Sequence, residues 1–179
     1  SGDPGVFAMA SAVFEAVETG PLSWRELDIS VLPGITAMLA AAARLGAPLG
    51  HDFCVINLSD NLKPWSIIET RLRLAVEADF AMAFYNPRSK ARPEGFEKAL
   101  DLLKCACEKE RLIMFARAVS TPEESLHTVH LSDATPDMAD MRTMVLLGSR
   151  QTRLIPRKNA APRSCRRPKA PPLTTTATT

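Results

Sequence analysis

The chain has 179 residues, 46% of them hydrophobic, with 22 basic and 20 acidic side chains for a net charge of +2, a balance that supports a globular core. Its longest apolar runs, such as Ala78 to Tyr85, are too short or too interrupted to span a bilayer. The first residues lack the basic-then-apolar order of a signal peptide, so a cytoplasmic protein is expected. The charge is unevenly divided. Seven basic residues and no acidic one follow residue 150, which leaves 15 basic against 20 acidic before it, a net of −5. That basic end holds five of the 14 prolines, has no aromatic residue to stack on bases and closes on Thr174-Thr-Thr-Ala-Thr-Thr179. Residues 157–179 are therefore read as a disordered, solvated tail, in preference to a nucleic-acid or membrane-binding arm.

In chain order, Ser1-Gly-Asp-Pro-Gly5 reads as a turn and Val6, Phe7, Ala10, Val13, Phe14 and Val17 as the apolar face of a helix. Amides at that helix start could face a ligand, although the glycines alone favour a plain connection. Thr19-Gly-Pro21 stops the helix, and Leu27 to Leu32 alternates as a short strand. Pro33-Gly-Ile-Thr36 then turns into an Ala-rich helix, Ala37 to Leu45, ended by Gly46. Such small residues let a backbone or a flat ligand pack closely.

Gly46 to His51 reads as a linker between residues 1–49 and a second unit over 50–156. Within the second unit strands are expected over Phe53 to Leu58, Phe80 to Tyr85, Leu112 to Ala116, Leu126 to Leu131 and Thr143 to Leu147. Helices are expected on faces built from Trp65, Ile68, Leu72 and Ala75, and from Phe96, Leu100, Leu103 and Cys107. Thr121-Pro-Glu-Glu124 has the form of a capping box, but the β-branched, alternating residues after it argue for a turn into a strand. The class is α/β with connections on both sheet faces. Cys54, Cys105, Cys107 and Cys165 stand in unrelated contexts, which argues against a disulfide framework. Cys105 and Cys107 point in different directions on a helix, which argues against a metal site, and His127 and His130 read as strand residues.

Loops at the carboxyl ends of strands bind ligands in such sheets, and two loops here are polar. One holds Asp60, Asn61 and Lys63; the other holds Tyr85, Asn86, Arg88, Lys90 and Arg92. Three cations within five residues suit a ligand bearing several carboxylates, and a solvated basic loop is the alternative. Asp60 is a candidate base or an ordinary loop carboxylate; spacing does not decide.

Ser1-Gly-Asp-Pro-Gly-Val-Phe7, Pro33-Gly-Ile-Thr-Ala37, Phe84-Tyr-Asn86 and Val145-Leu-Leu-Gly148, together and in this order, resemble the tetrapyrrole methylases. Leu58 to Trp65 and Tyr85 to Arg92 resemble the ring-contracting branch of that family. The resemblance implies two facing α/β domains, the second with a mixed sheet, and methyl transfer from S-adenosylmethionine bound between them to a tetrapyrrole. It also implies a strand and a Gly-Pro-Gly loop upstream, so residues 1–49 would be the C-terminal part of an incomplete N-terminal cofactor-binding domain. Ser1, Gly2, Asp3, Val6, Thr36, Ala37, Asn86 and Ala118 would contact the cofactor. Asn61, Arg88, Lys90 and Arg92 would meet acetate and propionate groups of the ring. Asp60, Lys63 and Tyr85 are candidates for proton transfer during ring contraction. No metal is implied, and the full-length protein would be a homodimer. Another tetrapyrrole methyltransferase and a non-catalytic tetrapyrrole binder remain open readings.

Overall fold

The computed structural model describes residues 2–89, 93–157 and 160–165, with the backbone alone at 156–157 and 160–165. Five of the alternating runs become strands: β1 (Phe53–Asn57), β2 (Ala81–Tyr85), β3 (Leu112–Arg117), β4 (Ser125–His130) and β5 (Thr143–Leu147). They form one sheet in the order β1-β2-β5-β3-β4. β1 and β2 are parallel, and the pairings β2–β5, β5–β3 and β3–β4 are antiparallel, so the sheet is mixed.

Strand alternation divides the core between two faces. On one face Ile56, Met82, Phe84, Ile113, Phe115, Val145 and Leu147 meet α3 (Trp65–Glu77) and α4 (Glu94–Ala106). Ile68 and Leu72 of α3 and Phe96, Leu100 and Leu103 of α4 are buried there, and the Phe96 and Phe115 rings meet edge-to-face at 6.1 Å. Glu94 and Glu97 in the first turn of α4 and Lys104 in its last turn complement the helix dipole. On the opposite face lies α2 (Ala37–Leu45), whose Ala41, Ala42 and Leu45 rest on Ala83, Met114, Ala116, Met144 and Leu146. Its small side chains bring this helix close to the strands, and Gly46, at φ 121°, ends it.

The first 36 residues differ from this sandwich. α1 (Met9–Thr19) starts at Met9, after the turn, and none of its side chains is buried; Val13 and Phe14 are 41% and 47% exposed. A short 3-10 helix follows over Leu22–Glu26. The expected strand from Leu27 to Leu32 does not form. Its alternation is suitable, but a strand is completed by a neighbour's amides and carbonyls, and among the described residues no strand lies beside it. Leu32 is left 77% exposed.

At the amino end of β3, the Arg111 side chain is wholly enclosed, 3.1 Å from Asp79 and 2.9 Å from Glu108. Asp79 also accepts the Arg150 backbone N–H at 2.9 Å, which ties the turns after α3, α4 and β5 together. β6 (Leu154–Arg157), at the end of the second unit, pairs antiparallel with β7 (Ala160–Cys165), so residues 160–165 of the segment expected to be disordered form a strand; residues 158, 159 and 166–179 lie outside the described ones. No described helix is long and apolar enough to cross a membrane, and the described residues hold no His/Cys/Asp/Glu group arranged for a metal. His127 and His130 are strand residues of β4.

Candidate functional site

β1, β2 and β3 run in one direction and β5 in the other, so the carboxyl ends of the first three and the start of β5 meet at one end of the sheet. The loops leaving Asn57, Tyr85 and Arg117, and the turn entering Thr143, therefore converge. Two cavities open there. The larger, about 680 Å³, is lined by Gly2, Asp3, Val6 and Phe7 of the opening loop, by Ala37, Ala40 and Ala43 of α2, and by Tyr85, Asn86, Ser120 and Arg142. The second, about 440 Å³, lies between the two polar loops and includes Asp60, Asn61, Trp65, Asn86 and Lys98.

The opening loop is clipped to the Pro33-Gly34 corner. Asp3 Oδ1 accepts the Gly5 N–H at 2.8 Å, and Asp3 Oδ2 accepts the Gly34 N–H at 3.0 Å. These amides, that of Gly34 first, hold the half-buried Asp3 carboxyl below the usual carboxylate range. The backbones approach so closely that a Cβ on Gly34 would stand 2.2 Å from the Gly2 carbonyl oxygen. No other residue type fits that corner without moving the loop.

Thr36, expected beside the cofactor, is buried at the N-cap of α2, where its hydroxyl hydrogen-bonds the Tyr85 hydroxyl. The Tyr85 oxygen also accepts the Met38 N–H at 3.1 Å, one of the amides that a helix start leaves unpaired. The Tyr85 ring lies 5.1 Å from that of Phe7. Tyr85 thus joins β2, α2 and the opening loop.

Backbone conformation concentrates at the same place. Of the described non-glycine residues with left-handed φ, Phe7 (50°), Asn86 (51°) and Ser120 (64°) line the larger cavity, and Ala118 (48°) adjoins Val119 and Ser120 in its wall. Such conformations collect at ligand sites because the surrounding fold must hold them. Ala118 is held by its N–H to the Arg142 carbonyl and by the Thr121 hydroxyl on its own carbonyl.

In the second cavity Asp60 and Asn61 of one polar loop come together with Asn86 of the other. Lys63 is not in its lining. Its Nζ donates to the Ser59 carbonyl at 3.0 Å, and burial, then Arg71, pushes its ammonium below the usual lysine value against the pull of Asp60. Arg88 turns aside, with Nη1 3.4 Å from the Pro136 carbonyl. Ser1, Lys90 and Arg92 lie outside the described residues. The sequence reading places Phe7 and Trp65 in its motifs without giving them a contact, and does not single out Arg142, Lys98 or, above all, Asn57. In the sequence Asn57 lies inside the expected strand Phe53 to Leu58, and only the structure, which ends β1 at Asn57, sets it at the mouth of the polar loop.

An α/β sheet with clefts at one end of its strands, walled here by a glycine corner and an Ala-rich helix, is the arrangement in which such folds bind small molecules. The chain belongs to the tetrapyrrole (corrin/porphyrin) methylases, whose family profile matches residues 1–135. It is 53% identical over 156 residues to the precorrin-3B C(17)-methyltransferase of Sinorhizobium sp, covering 87% of this chain and 61% of that one. It is 40% identical over 152 residues to the probable cobalt-factor III C(17)-methyltransferase of Salmonella typhimurium, covering 85% and 62%. The crystal structure of the methyltransferase CobJ superposes with a TM-score of 0.84 at 65% identity, over 87% of this chain and 65% of that one. The Thermus thermophilus uroporphyrin-III C-methyl transferase in complex with S-adenosyl homocysteine shares the fold, with a TM-score of 0.57 at 20% identity. The chain thus spans about three fifths of the length of the Sinorhizobium and Salmonella relatives.

Proposed function

We propose that the chain is part of an S-adenosylmethionine-dependent precorrin-3B C17-methyltransferase, which methylates the ring and contracts it in corrin synthesis. The observation that carries this reading is the convergence of the opening loop, the Gly34 corner and Asn86 on one cavity of about 680 Å³, in a chain 53% identical to a relative of that name. The cavity fits the cofactor. Its volume suits a ligand of that size, Phe7 and Ile35 offer exposed apolar surface to a purine, and Asn86, Ser120 and Arg142 supply polar groups.

The cofactor, when bound, supplies an electrophilic sulfonium methyl group. Gly2, Asp3 and Val6 hold its methionine and ribose portions, and Thr36, Ala37, Asn86 and Ala118 complete the wall. Little chemical activation is needed, so the residues act mainly by orienting the acceptor ring and excluding water. Asn61, with Lys90 and Arg92, meets the ring's acetates and propionates, while Arg88 ties its loop to the Pro136 carbonyl. Asp60 moves protons during contraction, while Lys63, its ammonium held on the Ser59 carbonyl, fixes the loop that carries Asp60. Tyr85, with its hydroxyl engaged by Thr36 and Met38, serves as a brace between the cofactor wall and the substrate loop. Residues 1–49 form the C-terminal part of the cofactor domain and 50–156 the second domain, and the full-length protein is a cytoplasmic homodimer.

The test is calorimetry of S-adenosylhomocysteine with this chain and with a counterpart extended to the length of its relatives, followed by product mass from precorrin-3B and other precorrins. Binding and a methylated, contracted product from precorrin-3B are expected of the extended protein. Absence of binding heat from it removes the assignment.

A further inference from the structure

Asn57 ends β1 opposite Tyr85 in the parallel register, half-buried between the two polar loops. Its Oδ1 accepts the backbone N–H of Ser59 at 2.9 Å and lies 3.1 Å from Nδ2 of Asn86. A backbone amide nitrogen can only donate, so the Asn57 atom that faces it must be oxygen. That oxygen can in turn receive only a donor from Asn86. The orientation of the Asn86 amide, otherwise ambiguous between its two ends, is therefore fixed: its NH2 is turned to Asn57, and its carbonyl oxygen remains as the acceptor. Asn86 is also the residue shared by the linings of both cavities. Its left-handed backbone keeps it at their junction.

We infer that Asn57 is a positioning residue that locks the Asn86 amide with its oxygen toward the bound ligand, so that the ligand group seated at the junction is a hydrogen-bond donor, an ammonium or an exocyclic amine, and not a carboxylate. This rests on the cofactor reading above for the identity of the ligand, but not for the lock itself. A carboxylate placed against the Asn86 oxygen would set acceptor against acceptor and would have to take its donors elsewhere in the wall, such as Arg142.

The lock is tested by the side-chain amide signals of Asn86 in nitrogen-15 NMR of this chain, as wild type, Asn57→Asp and Asn57→Leu. The Asp variant keeps an acceptor and should preserve a shifted, slowly exchanging Asn86 NH2 pair; the Leu variant has nearly the same bulk and no acceptor, and should give the averaged pair of a free amide. The backbone spectrum shows whether each variant is folded. An Asn86 pair in Asn57→Leu unchanged from wild type overturns the lock. The donor preference is tested by calorimetry on the extended protein, using S-adenosylhomocysteine and two analogues, one without the α-ammonium and one with the adenine amine replaced by oxygen. One analogue should lose ~tenfold in affinity for wild type and for Asn57→Asp, but under ~threefold for Asn57→Leu, as expected when one fixed hydrogen bond is released. Equal losses in all three proteins overturn the preference. If no form binds S-adenosylhomocysteine, the cofactor reading and the donor preference fall together, while the amide signals still decide the lock.

Discussion

The carboxylate of Asp3 accepts the amide of Gly34, 31 residues away, at 3.0 Å, and through that one contact the opening loop is fastened to the corner that starts α2. Neither residue belongs to the buried core. Replacing Asp3 with Ala should therefore release the loop without unfolding the sheet. Amide exchange at Gly5 and Gly34 should accelerate by at least ~tenfold, with the midpoint of thermal unfolding almost unchanged, as expected for a local opening. Exchange as slow as in wild type would show that the loop is held by something else.

The same carboxylate has a defined pH dependence. Its pKa in the fold is depressed, so the stabilisation it gives is present above the ordinary carboxylate value of about 3.9 and is lost as pH falls through the lower folded value. Followed by the Gly34 amide shift, the clip should persist through the neutral range and open with a midpoint below about 3.9. A midpoint at or above that value would contradict the assignment.

Gly34→Ala places a methyl group 2.2 Å from the Gly2 carbonyl oxygen, a distance no side chain sustains. The loop must move. Backbone NMR shifts should change at residues 2–7 and 33–36 and hardly at all in β1 to β5, and affinity of the extended protein for S-adenosylhomocysteine should fall by at least ~tenfold because the wall is displaced. Spectral changes that spread through the sheet would mean that the corner supports the core as well.

Tyr85→Phe keeps the ring beside Phe7 and removes the hydroxyl that serves Thr36 and Met38. A cost of about 1–2 kcal/mol is expected from the lost cap at α2, read from denaturant unfolding. In turnover by the extended protein, a brace predicts a weaker KM and a kcat within ~threefold of wild type. A kcat lower by ~100-fold with KM unchanged would instead restore Tyr85 as a proton-transfer group.

Arg111→Met tests the enclosed guanidinium. Removing it separates Asp79 and Glu108 from their shared partner, but both carboxylates retain access to water. The expected loss is about 2–3 kcal/mol, below the range for a fully buried pair. Stability equal to wild type would indicate that the apolar replacement compensates the lost ion pairs.

The five strands, α2, α3 and α4 were legible because each carries a period that its burial then uses. Phe84 and Ala83 face opposite layers, and Ile68 and Leu72 share one stripe. The unformed strand at Leu27 to Leu32 had the same alternation. What it lacks is a neighbour, and a partner is not a property of the segment itself. In the site, Asp60, Asn61 and Asn86 could be assigned to polar loops after strands, and the structure gathers them around one cavity. Lys63 and Arg88 share those loops, yet their long side chains fold back onto the Ser59 and Pro136 carbonyls, a local choice that composition does not encode. Asn57 was missed for a related reason. Its importance lies in the atoms on either side of its oxygen, which no single position announces.

The strand last in sequence among the five, β5, lies in the middle of the sheet, between β2 and β3. Until Thr143 to Leu147 have left the ribosome, β1–β2 with its helices and β3–β4 are two pieces that no strand joins into one sheet. Assembly is thus withheld until almost the whole described chain has been made, and then one short hydrophobic strand joins both halves at once. A chain ending before Thr143 would leave one edge of β2 and one edge of β3 unpaired, the kind of open edge that invites aggregation.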